Sequence, residues 1–197
     1  MTNKLVILLS GTVLALAACG KHEAATTDTA NDVNMTATDN GAAMDNGTDL
    51  NAAAPAPMTA QGFANAAAAS DHFEIESSKL AAASAKSADV KSFASKMIAA
   101  HTASTAKLKG IAGGLSPAIT PDDTLNPDQQ AALDGLKGKT GADFDTAYAA
   151  AQVDAHQKTL DALKAYAASG DNDALKGFAK DMVPTVTAHL NMAKGLK

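Results

Sequence analysis

Three histidines and one glutamate are the residues of this chain best placed to do chemistry together. His101, His156 and His189 each fall on the apolar stripe of a different expected helix, and Glu74 falls at the edge of the stripe of a fourth. Imidazole nitrogens suit Zn, Cu or Fe, and a carboxylate would complete a four-coordinate set. One reading is therefore a metal site in a bundle core, with Glu74, His101, His156 and His189 as ligands and Asp145, Tyr148 and Gln152 as hydrogen-bond partners around them. The other is that each histidine is a buried polar residue, bonded to a carboxylate, an amide or a tyrosine, that fixes helix register. The sequence leaves both open.

Other chemistries are disfavoured. Di-iron bundles use Glu-x-x-His on two helices and further glutamates on the others. Here Ile98 stands at that spacing before His101 and Val186 before His189. No Gly-x-Ser-x-Gly elbow, Ser/His/Asp arrangement or phosphate-cradling glycine loop is present. An enzyme is thus not the expectation. Met97, Met182 and Met192 could offer soft ligands, but methionines at helical spacing more often fill cores. Glu76 and His72 are expected at the surface, and His22 outside the fold.

Register can be counted from the expected turns. Glu74 and His101 lie level about a turn near Ser87. His156 and His189 do not lie level about a turn near Gly170: the offset is about one helical turn, roughly 5–7 Å at 1.5 Å per residue. Gln152 is the better match for His189.

The elements that must position these residues are four long helices. The first is expected over Ala60 to Lys86, with Phe63, Ala66, Ala67, Ser70, Phe73, Ser77, Leu80 and Ala81 inward. The second, Ala88 to Ala112, carries Val90, Ala94, Met97, His101, Ser104, Leu108 and Ile111 at alternating spacings of four and three, the seam of a bundle. The third, Ala142 to Ala168, turns Gln152, His156, Leu160 and Leu163 inward, with a capping box expected from Thr140 and Asp143. The fourth, Asn172 to Lys194, is capped by Asp171 and kinked at Pro184. A short helix opens at Asn126-Pro127. Two tight hairpins joined by the long connection from Gly113 to Gly141 give an all-α, ferritin-like four-helix bundle. A repeat supports it: Val90-Lys91-x-Phe93-Ala94-x-x-Met97 parallels Leu175-Lys176-x-Phe178-Ala179-x-x-Met182.

The N-terminus speaks of location. Lys4 precedes an apolar run, Leu5 to Ala18, that ends at Cys19, the one cysteine in the chain. That order of charge, apolar core and small residues is a secretory signal, and Leu16-Ala17-Ala18-Cys19 resembles a lipoprotein cleavage box. Residues 1–18 are expected to leave and Cys19 to take the lipid. With Gly20 rather than an acid after it, the periplasmic face of a Gram-negative outer membrane is the expected address, reached through the lipid anchor. Residues 19–59, rich in Ala, Thr, Asn and Asp, cannot bury enough surface to order themselves and form a tether of roughly 35 Å. Residues 60–197 form the folded domain. The formal charge is −5, all sixteen basic residues are lysine, and loss of Lys4 makes the mature chain −6. An acidic, arginine-free surface disfavours nucleic acid as a partner.

Glu74-Ile75-Glu76-x-x-Lys79-Leu80-Ala81, Val90-Lys91-x-Phe93-Ala94-x-x-Met97-Ile98-x-x-His101, Phe144-Asp145-x-x-Tyr148 with His156, and Pro184 with His189-Leu190 together resemble the bacterial domain-of-unknown-function family 4142. The resemblance runs from about Ala60 to Leu196. It implies a ferritin-like bundle in exported, often membrane-anchored, proteins and no established reaction. Family members usually carry an acid just before the second helix's histidine, where this chain has Ala100. The resulting expectation is a tethered periplasmic binding or stress-related module. The alternative is a purely structural or interaction protein of the envelope.

Overall fold

A computed structural model describes residues 58–197. The apolar leader, Cys19 and the expected tether as far as residue 57 lie outside them. Among the described residues there are five helices: α1 (Ala60–Ser84), α2 (Ala88–Gly113), α3 (Pro127–Leu136), α4 (Gly141–Ser169) and α5 (Asp173–Lys194). No strand occurs among the described residues; an isolated bridge pairs Ala85 with Gly141. None of these helices is long and apolar enough to cross a membrane.

Local chemistry starts each helix. Thr59, Ser87, Asn126 and Asn172 stand at the N-caps of α1, α2, α3 and α5, and their side chains accept from Gly62, Val90, Gln129 and Leu175 N–H groups. Asn126 and Gln129 complete a reciprocal capping box, followed by Pro127 in the first turn. Two expected caps are corrected. Thr140 makes no side-chain cap bond to α4. Asp171 instead accepts from Tyr166 Oη at 2.9 Å, leaving the cap of α5 to Asn172. Helix α5 runs on through Pro184.

Helix α1 packs on α2 and α4 on α5; across these pairs α1 meets α4 and α2 meets α5, while α3 lies against α1 and α4. The stretch between α2 and α3 is fastened to α1 by side chains. His72 Nδ1 lies 2.8 Å from the Asp123 carbonyl, Gln61 donates to the Thr120 carbonyl, and Asn65 accepts from Asp122 N–H.

The core has three layers along the helices. One apolar cluster contains Phe63, Leu108, Leu160, Tyr166 and Phe178. The other contains Val90, Met97, Phe144 and Tyr148. Between them, on α1, α2 and α4, come buried polar residues: Glu74 and Ser77, His101, and Gln152 with His156. On α5, His189 comes between Val186 and Ala193, which belong to the two clusters. The α1 stripe differs from expectation. Asp71 and Ser78 are buried, whereas Ala66 is exposed.

One offset relates the two helix pairs. Val90 and Leu175, Phe93 and Phe178, Ala94 and Ala179, and Met97 and Met182 are each 85 residues apart. The caps Ser87 and Asn172 share that offset, and so do the ends of α1 and α4 at Ser84 and Ser169. The repeat is therefore in step in three dimensions as well as in sequence.

Asp145 has a structural task. Its two oxygens accept the Lys86 and Ser87 backbone N–H groups at 3.1 and 2.9 Å, closing the α1–α2 turn onto α4. Asp145→Ala strips two part-buried hydrogen bonds from the turn. It is expected to lower stability by about 2 kcal/mol, read as a lower urea midpoint at unchanged slope.

Candidate metal centre

Helices α2, α4 and α5 bring His101, His156 and His189 into one cluster. Each pair of rings has its centroids 5.6 Å apart. Each residue offers one nitrogen, and the three nitrogens lie within 4.8 Å of one another. The rings are 3%, 1% and 8% exposed, so water can serve at most the last of them.

The expected one-turn misfit between His156 and His189 does not separate them. His156 lies thirteen residues before the end of α4, and His189 sixteen after the start of α5. Side chains lean toward the N-terminus of their own helix. On α4 that direction points away from the α4–α5 turn, and on α5 toward it. The two leans close the gap that residue counting leaves.

Hydrogen bonds orient two of the rings. His101 Nδ1 is 2.7 Å from Asp71 Oδ1, and Asp71 Oδ2 accepts from Thr105 Oγ1 at 3.0 Å. His156 Nδ1 donates to the Gln152 carbonyl at 2.8 Å. An N–H spent this way leaves the lone pair on the other nitrogen. His101 Nε2 and His156 Nε2 are buried without a partner, and so is His189 Nδ1. A buried polar atom left unpaired costs about 1–3 kcal/mol, and here three stand together.

Protonation differs around the cluster. Burial depresses His101, but the Asp71 hydrogen bond and the Glu74 and Asp71 carboxylates outweigh it and raise its pKa. Burial brings His156 down to about 4, against the bond to Gln152 and with help from His101 and His189, whose protonated forms would repel a second charge. His189 is also lowered to about 4, by burial and then by His101. Near neutrality His156 and His189 are therefore free bases.

Glu74 is 1% exposed and neither of its oxygens has a hydrogen-bond partner. Its Oε1 lies 3.5 Å from His156 Nδ1, the nitrogen turned to Gln152. That contact is not an ion pair, because His156 is neutral. Burial drives the Glu74 pKa up to about 7, against the pull of His101 and the Gln152 amide. Glu74 thus stands beside His156 and outside the group of three nitrogens, rather than among them as the sequence suggests.

The other expected partners divide. Gln152 reaches His156 through its carbonyl, while its side chain donates to Ser77 Oγ at 3.1 Å. Tyr148 Oη bonds Ser78 Oγ at 2.7 Å, and Asp145 closes the α1–α2 turn; neither bonds a histidine. Asp71, which does, was readable in principle, since it precedes Glu74 by three residues and so shares its helix face.

Comparison with known proteins adds family and fold. A family model described as a domain of unknown function, DUF4142, matches residues 46–196. No curated protein matches the chain. Two solved structures are similar, described as CopM in the Cu(II)-bound form and CopM in the Cu(I)-bound form. Each has a TM-score of 0.58, with 14% and 16% identity. The matches cover 68% and 70% of this chain and 93% and 94% of theirs. Likeness at that identity is one of fold.

Proposed function

This chain belongs to the DUF4142 family, and from that premise we propose that it is a copper-binding module, with His101, His156 and His189 as the ligands. The observation that carries this reading is the buried triad itself: each ring offers a nitrogen within 4.8 Å of those of the other two, and each ring has a buried nitrogen without a hydrogen-bond partner. A single Lewis acid would satisfy all three. Metal–nitrogen bonds of ~2.0–2.1 Å put the nitrogens of a tetrahedral ion ~3.3–3.5 Å apart, so the rings would close by about 1 Å. The outer partners fit as well. Metal-bound histidines almost always donate their second N–H to a carboxylate or carbonyl, as His101 does to Asp71 and His156 to Gln152. Copper is favoured among imidazole-binding metals because the similar folds are copper-bound proteins.

The role is binding rather than turnover. One metal ion with three neutral ligands lacks the bridging carboxylates that di-iron oxidation needs. Glu74, beside His156, supplies a charge that compensates the ion rather than a bond to it. The setting is a ferritin-like four-helix bundle of two hairpins, held by a lipid on Cys19 at the periplasmic face of the outer membrane. Labelling with a radioactive fatty acid, lost in Cys19→Ala, tests that anchor.

Titration of the metal-free chain with Cu(I) in competition with a chromophoric chelator tests the site. One copper per chain is expected, with nitrogen neighbours in its X-ray absorption spectrum. The absence of stoichiometric copper, zinc or iron would return the histidines to a structural role. Asp71→Asn keeps the shape but weakens the acceptor that orients His101, and is expected to reduce affinity about 10–100-fold in the same assay.

A further inference from the structure

The triad offers three donors and no fourth. Its ring centroids form an equilateral triangle with sides of 5.6 Å. Among the described residues no carboxylate or thiolate joins the three nitrogens that lie within 4.8 Å of one another. Asp71 is spent on His101 and Thr105. Glu74 stands at Nδ1 of His156, the nitrogen turned to the Gln152 carbonyl, so the ring separates it from an ion on Nε2.

One turn along each helix from its histidine comes an apolar side chain: Met97 before His101, Leu160 after His156 and Val186 before His189, all buried. Phe93 meets the His156 ring edge to face, with centroids 6.2 Å apart. Water is kept out as well, since none of the three rings is more than 8% exposed. A cavity of about 20 Å³ beside the cluster has His101 alone of the three in its wall, so an occupant there is not shared by the triad.

Coordination number then separates the ions. Zinc takes a tetrahedron, and keeps water in the fourth place where the protein supplies three ligands. Divalent copper prefers a tetragonal set of nitrogens and oxygens. Monovalent copper has a filled d shell and half the charge, and it is content with three donors in a plane. Burial sharpens the contrast, because the cost of taking an ion out of water rises with its charge.

Resting on the copper reading above, we propose that the triad selects the monovalent ion, holding Cu(I) in a three-coordinate, all-imidazole site that discriminates against Cu(II) and Zn(II). The selectivity lies in the fourth donor that the bundle withholds, not in a ligand of special softness.

The test compares ions in the full chain, with His156→Ala as the blank that subtracts metal taken up elsewhere. Cu(I) is offered in competition with bicinchoninate, and Cu(II) and Zn(II) in competition with chelators matched to each. The His156-dependent site is expected to hold Cu(I) at least about 100-fold more tightly than either divalent ion. For copper, that ratio raises the potential of the bound couple about 120 mV above that of the free ions, at 59 mV per tenfold. X-ray absorption of the Cu(I) form should show three nitrogen neighbours and no further light atom. A smaller ratio for either ion, or a fourth neighbour, overturns the selectivity and leaves the triad as a copper site. If neither copper ion is taken up in a His156-dependent way, both readings fall.

Discussion

His156→Ala is expected to abolish copper binding, with a larger loss than the roughly 10–100-fold that follows removal of an outer partner. His156 is the most enclosed of the three rings, 1% exposed. Its Nδ1–H is committed to Gln152, so its Nε2 lone pair has no alternative use. Two nitrogens would remain, one of them on His101, which also holds a proton more tightly than an ordinary histidine. The readout need not be a titration. A ligand bound only by the folded state stabilises it by about 2.7 kcal/mol at 100 times its dissociation constant. Copper should raise the melting temperature of the wild type and leave that of His156→Ala where it was. Circular dichroism of the metal-free variant checks that the helices persist. An equal copper-induced shift in both proteins would refute the triad as the site.

Glu74→Gln is expected to stabilise the metal-free protein at alkaline pH. The folded-state pKa of Glu74 is about 7, against an ordinary value of 4.5. Between those values the folded state keeps a proton that the unfolded chain releases, so stability falls as pH rises. By about pH 8 the loss attributable to this carboxyl is about 3 kcal/mol. Glutamine is uncharged at every pH and has the shape of the neutral acid. The variant should match the wild type near pH 4 and exceed it near pH 8 by about that amount. His156 and His189 have the opposite sign. Their pKa values are lowered from 6.5 to about 4, so their contribution is present above 6.5 and is lost as pH falls toward 4. Urea unfolding across this range separates the two effects. Superimposable curves for wild type and Glu74→Gln at high pH would contradict a buried, unpaired carboxyl.

Much of this architecture is legible in the residues alone. Spacings of four and three from Val90 to Leu108 mark the inward face of α2, and every one of Val90, Ala94, Met97, His101, Ser104 and Leu108 is buried. Asn126-Pro127 marks the start of α3 because its chemistry is local: a side-chain acceptor, a missing donor, and Gln129 one turn later. What local chemistry does not encode is harder to read. Counting residues from a turn treats side chains as if they stood square to the helix, which is why His156 and His189 look misaligned on paper. Asp145 resembles a partner for histidine until the turn it closes comes into view. Asp71 is hidden for another reason. A short acid on the flank of an Ala-rich stripe looks solvated unless the neighbour that neutralises it is known, and that neighbour, His101, is thirty residues away in sequence.

Asp71 and His156 are themselves 85 residues apart. They are corresponding positions of the two hairpins, and in the folded chain both serve His101 or its neighbourhood, one as carboxylate and one as imidazole. Two separate, identical hairpins paired about a symmetry axis could offer only two acids or two bases at those places. Joining the halves in one polypeptide frees each to diverge, so that a donor on one side can face its counter-charge on the other. The asymmetry that gathers three imidazoles on one side of a repeated scaffold and an acid on the other is thus a property of the covalent link.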